Sequence, residues 1–454
     1  MTARSHPPRV AVIGGGLAGL AAAWHLDAAG FACRVFESGK RPGGPALSKR
    51  EGACLFEYTP SVLQLDAALL AWLEQLGLGP ALHPATPYAS RRWVLHQGTY
   101  QPWLESPLNW LLSRRVDRHS KRRRLVESLS LLRPGAVQPG GSVAAFVRAH
   151  LGDWFNDYLV APWLALQYGV DAEQADMALT LPDLIQPASR LALARQLQAR
   201  LLGVGGYGLR QGLDTLTDTL SARVDVRLGQ HVGALIRRPR GWCVVTGMET
   251  YEADLLVLAV STREAALLLA PGFAQTAARL GEVRYAPMID VHSVYHRENM
   301  AFRLRAGGAW HPQCERPFAL GVEFISSQIS HRTPDGEVLV CARLGGMAQA
   351  ERLGLDDAVL GLLLDSELDG LLGVLNAPLE RHVHRRRHAY PHPDAALAAA
   401  RAELPTLAQA RVLVAADWAA GLGPEALLRH AMSLPAAART ALAAPGGFIH
   451  QQID

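Results

Sequence analysis

The sequence has 454 residues, with 45 basic and 41 acidic side chains and a hydrophobic fraction of 49%. That length is too great for one small core and calls for two or three packed units, while a charged fraction of 19% excludes a largely disordered chain. A net charge of +4 spread over a large surface does not by itself imply a nucleic-acid partner, and lysine occurs only at Lys40, Lys49 and Lys121, which excludes a Schiff-base, P-loop or general-base lysine after that point.

The opening Arg4–Arg9 stretch and the apolar residues after it imitate a signal peptide, but the glycine spacing favours another reading. Residues Arg9 to Ile13 read as a short buried strand, followed by Gly14-Gly15-Gly16-Leu17-Ala18-Gly19 and a helix to about Ala29. Gly30 ends that helix, Ala32 to Phe36 forms a second strand, and Glu37 and Ser38 follow it. This strand–turn–helix–strand context is what a bare glycine pattern lacks. Gly14 permits the tight turn, Gly16 lets the backbone approach a pyrophosphate, and Gly19 lets helix and strand pack closely. The helix N-terminus supplies amide donors and a positive dipole end. Glu37, 23 residues after Gly14, is placed to accept hydrogen bonds from an adenosine ribose, and its charge disfavours a 2′-phosphate and hence NADP. The predicted ligand is therefore a dinucleotide, NAD or FAD, held through Gly14, Gly16, Leu17, Ala18, Gly19, Glu37 and Ser38; a glycine-rich turn without ligand is the alternative.

Further along come the turn Arg41-Pro42-Gly43-Gly44 and a stretch from Trp93 to Arg133 rich in Trp, Leu and Arg, including Trp103, Trp110, Arg118 and Arg122. Such a basic amphipathic stretch either rests on an anionic membrane surface or forms the solvated face of a helical subdomain. Val224–Leu228, Val232–Arg237, Gly241–Thr246 and Leu255–Val260 are predicted strands. Val283 to Gly345 alternates as an antiparallel sheet would, with strands at Met288–Tyr295, Pro317–Ile325 and Glu337–Leu344. The run Arg381-His382-Val383-His384-Arg385-Arg386-Arg387-His388 reads as a strand with one solvent face. A metal site using His382, His384, His388 and His392 is opposed by the four arginines, so no metal is expected. Val412–Ala415 is a last buried strand, followed by Asp417 and a helix from about Pro424 to Ala443. The five cysteines (Cys33, Cys54, Cys243, Cys314 and Cys341) are widely spaced without a C-x-x-C pair, which fits a reducing cytoplasm. No uninterrupted apolar run reaches the ~18 residues of a membrane span.

Together these segments resemble the FAD-binding domain of the flavin amine oxidase and protoporphyrinogen oxidase superfamily, in which a glycine fingerprint, an R-x-G-G turn and a C-terminal G-D motif meet from both chain ends. Leu159–Pro162, Tyr168-Gly169-Val170, Leu179 to Pro182, Leu209 to Leu213 and Ala389-Tyr390-Pro391 are similar to weaker motifs of the same family, in the same order. The resemblance implies an α/β fold with a discontinuous Rossmann-like FAD-binding domain (residues 1–88, 203–282 and 405–454). It further implies a substrate domain with an antiparallel sheet (283–404) and a helical subdomain (89–202) that forms a substrate channel or membrane contact. It adds Arg41, Gly43, Gly44, Val232 and Asp417 to the predicted cofactor contacts, with FAD held non-covalently, since no cysteine follows Cys341. The implied reaction removes hydride from an amine, or from a ring carbon that gains conjugation, of a small, largely apolar substrate, with peripheral contact to the inner membrane surface.

The departures from the family pattern cluster. Pro45 stands where the family has Arg or Lys, Glu57-Tyr58-Thr59 replaces D-x-G, Ala416 replaces the glycine before Asp417, Leu434 replaces a glycine of the last helix, and Arg386 replaces a tryptophan. They leave the adenosine end intact and alter the ring end. Two consequences stay open: a site reshaped for an unusual substrate, or a weakened flavin site in a protein that acts as a non-redox isomerase or binding partner. The absence of lysine between Glu282 and Gly346 weakens the lysine-assisted amine-oxidase subclass.

Overall fold

The computed structural model describes residues 6–102, 140–186, 189–203 and 206–443. The Trp- and Arg-rich stretch expected at a membrane lies, from Trp103 onward, outside the described residues.

The opening strand sits at the centre of a five-stranded parallel sheet, in the order Val412–Val414, Leu255–Leu258, Arg9–Ile13, Ala32–Phe36 and Asp225–Arg227. Its strands are short apolar runs because both faces are covered, which leaves no polar side to alternate with. Val10 and Val12 face one core and Ala11 and Ile13 the other. The first core is closed by helices Leu17–Ala28, Ala67–Gln75, Asp214–Ser221 and Pro424–Ala443. The second is closed by the antiparallel strands Val232–Arg238, Gly241–Thr246 and Thr250–Ala253 and by helices that include Thr262–Leu269 and Ala395–Arg401. One α/β layer is thus assembled from the start, middle and end of the chain, as the motif order implied.

A second, seven-stranded sheet runs Glu380–Pro391, Tyr285–His296, Glu337–Gly345, Gly321–Glu323, Gly308–Trp310, Arg92–His96 and Thr99–Pro102. Its last two strands fall in the segment taken above with the helical subdomain. They join the sheet because Arg92–Val94 pairs in parallel with Gly308–Trp310, a contact between distant parts of the chain. Leu360, Leu364, Leu368 and Leu372 of the helix Asp357–Leu372 cover one face of this sheet at the spacing of one helical stripe. Helices Val143–Leu151, Ala161–Tyr168 and Arg190–Leu202 build a separate helical core around Leu159, Leu164 and Leu197.

The Arg/His run does form an edge strand, but its cations are not simply solvated. Arg381 and Arg385 pair with Asp365 and Asp357 of the covering helix, and Arg386 turns inward onto Asp290. No helix among the described residues is long and apolar enough to cross a membrane.

Candidate functional site

The carboxyl ends of four parallel strands open onto one cavity of about 650 Å³, lined by Ile13 and Gly14, Phe36 and Glu37, Ala259 and Val260, and Ala415 and Ala416. Open α/β sheets bind ligands at this edge, because the strand ends leave a crevice and the following helices point their N-termini into it. The chain crosses from Ile13 into the helix through Gly14, whose φ of +106° is left-handed. Gly16 then caps the helix Leu17–Ala28 with no side-chain hydrogen bond, so the first-turn amides remain available to an anion. Glu37 is held at the end of its strand by two backbone donors: Gly15 N–H to Oε2 at 2.7 Å and Gly39 N–H to Oε1 at 2.6 Å. The R-x-G-G turn is zipped against the fingerprint turn by the Gly43 N–H, which donates to Gly15 O at 2.8 Å. Gly43 has a φ of +99°, and a side chain there would meet the Thr217 hydroxyl at 2.8 Å.

Of the predicted contacts, Gly14, Gly16, Leu17, Ala18, Glu37, Ser38, Gly43, Gly44, Val232 and Asp417 stand together on the cavity wall. Two do not. Gly19 lies behind the wall, where a Cβ would run into the Gly14 carbonyl oxygen, so its smallness serves packing. Arg41 closes its own turn by donating to Gly44 O at 2.8 Å. The wall also holds residues not singled out from sequence: Ser261, Glu264, Tyr285 and Gly423. For Ser261 the signal was present, since it follows the buried Leu255–Leu258 strand at its carboxyl end. Tyr285 is brought in by the packing of the second sheet against the first, a long-range placement that its own segment does not show.

The departures sort in the same way. Pro45, Thr59, Arg386 and Ala416 all line the cavity. Leu434 does not: it is 3% exposed in the core between the last helix and the parallel sheet, so that change concerns packing. The three acids on the described cavity wall each accept hydrogen bonds. Glu37 holds the two amides above, and Glu264 caps its own helix in a reciprocal box with Ser261. Asp417 accepts from the Trp418 N–H at 2.8 Å, and burial pushes its carboxyl up to about 6.

A family model described as flavin containing amine oxidoreductase matches residues 17–426. The chain belongs to this family. The mitochondrial protoporphyrinogen oxidase of Nicotiana tabacum is 23% identical to this flavin amine oxidoreductase over 419 residues, 82% of this chain and 83% of the relative. Among solved structures, a candidate protoporphyrinogen oxidase from Exiguobacterium sp. 255-15 superposes with a TM-score of 0.80 at 18% identity, over 97% of this chain and 99% of that one. A reduced UDP-galactopyranose mutase gives 0.74 at 14%, over 97% and 98%. At these identities the structural likenesses carry the fold.

The protein is an FAD-dependent oxidoreductase of this family, and its residues fit the cofactor. The uncapped helix start, the bare Gly16 and Gly44 backbone and the anchored Glu37 line one cavity of the size that holds an organic ligand. Asp417 yields a prediction. Its raised pKa means that the folded state prefers the protonated form, so its contribution is fully present below the unfolded value near 4 and is lost as pH rises through about 6. Asp417→Asn should therefore gain on the parent by on the order of 3 kcal/mol between pH 4 and pH 7. Urea midpoints of the two proteins at both pH values would show this, and a constant difference would show that Asp417 does not titrate there.

The histidines weighed as metal ligands do not converge. His382 pairs with Glu380, His384 packs tilted against the Tyr58 ring, His388 lines the cavity and His392 is buried beside Asp394. Among the described residues Glu51, Glu380 and His382 bring ligand atoms within 4.8 Å of one another, but the Lys49 ammonium already pairs with Glu51.

Proposed function

We propose that this oxidoreductase removes a hydride from a C–H beside nitrogen, or from a ring carbon that thereby gains conjugation, of a small and largely apolar organic substrate. FAD supplies the two-electron acceptor. The observation that carries the reading is the continuity of the cavity. One space is lined both by the dinucleotide elements Gly14, Gly16 and Glu37 and by Pro60, Tyr285, Tyr390 and Leu427. The glycine turns bring backbone amides to the phosphate end, Glu37 marks the ribose, and the aromatic and aliphatic residues exclude water from the substrate.

Among the described residues the lining contains no lysine. A second reading, isomerisation with no net electron transfer, draws on the likeness to the mutase fold.

Purified protein should be yellow, with absorbance near ~450 nm from the flavin. Anaerobic addition of an oxidisable substrate should bleach it. A colourless protein not rescued by FAD would sink both readings, and turnover without bleaching would favour isomerisation. Glu37→Ala should weaken FAD retention roughly tenfold, the loss of one charge-assisted contact; unchanged retention would remove Glu37 from the ribose.

A further inference from the structure

Arg386 is the one guanidinium on the described cavity wall, on the strand Glu380–Pro391. Its Nη2 donates to Asp290 Oδ2 at 2.8 Å, and Asp290 is 2% exposed beneath it. That carboxylate is shared, because Arg343 Nε lies 3.1 Å from its other oxygen, while Arg343 also reaches Glu323 at 3.0 Å. Arg386 is therefore held by half of one carboxylate and by a side-chain hydrogen bond with Tyr390, which still leaves it donors to spare, and its buried Nε has no hydrogen-bond partner. The guanidinium carbon stands 5.4 Å from the centroid of the Tyr390 ring, which steadies the fork at the cavity edge. A second buried polar atom on the same cavity wall is unpartnered: the Thr59 hydroxyl oxygen.

Buried donors left unpaired are costly, and a buried cation with a spare fork matches a planar carboxylate. Glu37, Glu264 and Asp417 meanwhile already accept hydrogen bonds from the chain itself. We infer that Arg386 and Thr59 form a carboxylate-recognition subsite, so that the oxidised substrate is an organic acid rather than a cationic amine. This rests on the oxidoreductase reading and names the substrate class for it. Asp290 acts through Arg386 as a positioning residue, fixing one edge of the fork and leaving the other for the ligand.

The test uses the holoenzyme, with benzoate as the probe and benzamide as its neutral analogue, read by calorimetry. Benzoate should bind saturably and benzamide at least tenfold more weakly. Arg386→Gln should weaken benzoate tenfold or more, and Thr59→Val several-fold. Because Arg386→Gln leaves Asp290 with Arg343 alone, the pair Asp290→Asn with Arg386→Gln is a second variant that removes both charges; it should show the same loss. Equal affinity for benzoate and benzamide, or unchanged benzoate affinity in Arg386→Gln and Thr59→Val, would overturn the subsite. So would a shift of flavin reduction potential in Arg386→Gln with benzoate binding intact, which would assign the guanidinium to the cofactor. Flavin absorbance in the same samples separates the two claims. A yellow, bleachable protein that ignores benzoate loses only the subsite, and a colourless protein that binds benzoate through Arg386 loses only the redox reading.

Discussion

Gly14→Ala should strip the flavin from the protein and destabilise it by about 3 kcal/mol, from positive-φ strain together with a steric clash. At φ +106° the new Cβ would lie 2.5 Å from the Ala259 carbonyl oxygen and 3.1 Å from a Val260 methyl. Neither is the tip of a flexible side chain, so the end of the neighbouring parallel strand must move, and with it the cavity wall. Gly16→Ala is the matching control. Gly16 has an ordinary φ of −71°, and a Cβ there meets nothing nearer than Gly44 Cα at 4.0 Å. It should leave the urea midpoint within error while weakening FAD, because the methyl projects where the dinucleotide backbone must come close. Equal loss of stability in both variants would refute this division of labour.

The second large effect is expected at Glu57 and Arg332. Their side chains are 2% and 1% exposed, and Arg332 Nη2 donates to Glu57 Oε2 at 2.8 Å and to Leu209 O at 3.0 Å. Glu57 Oε1 also accepts from the Leu213 N–H at 3.1 Å, and Leu213 lines the cavity. Burial pushes the Glu57 carboxyl up, while the Arg332 charge pulls it back. Removing one partner leaves a buried charge without its counterion, so Glu57→Ala should cost about 3–5 kcal/mol. Replacing both partners, as in Glu57→Leu with Arg332→Leu, should cost less than the single change, because apolar residues leave no ion to desolvate. Chemical denaturation of Glu57→Leu, Arg332→Leu and their combination reads this directly, and additive losses would contradict it. Glu57→Ala should also loosen FAD through the released Leu213 amide.

Glu57 belongs to the altered D-x-G triplet, and its neighbour Thr59 to the candidate subsite. The changes that looked like decay of the ring end are thus spread over three jobs. Glu57 locks a buried pair, Leu434 fills a core, and Thr59, Arg386, Pro45 and Ala416 shape the cavity. From sequence these were indistinguishable, since each reads only as a departure from a pattern.

What the sequence determined by itself is whatever lies within one turn of chain or one strand. The Gly14–Gly19 fingerprint, its helix, the apolar parallel strands and the acid at residue 37 were legible because their physics is local: φ, helix dipole, apolar run, side-chain reach. The gathering of both chain ends into one sheet was legible through the family resemblance, which carries long-range order that spacing does not. Tertiary structure alone decided which charges meet. The pairing of Glu380–Pro391 with Tyr285–His296 shifts register between Ala286 and Met288, so Tyr390 faces the first and Arg386 the second. Arg386, His388 and Tyr390 are two residues apart, so strand alternation by itself sets them on one face, while the irregularity changes which residue of the partner strand each one meets. All three line the cavity, and Arg386 meets an aspartate 96 positions away. An ion pair across a sheet depends on register and burial, and neither is written in the run of residues that contains it.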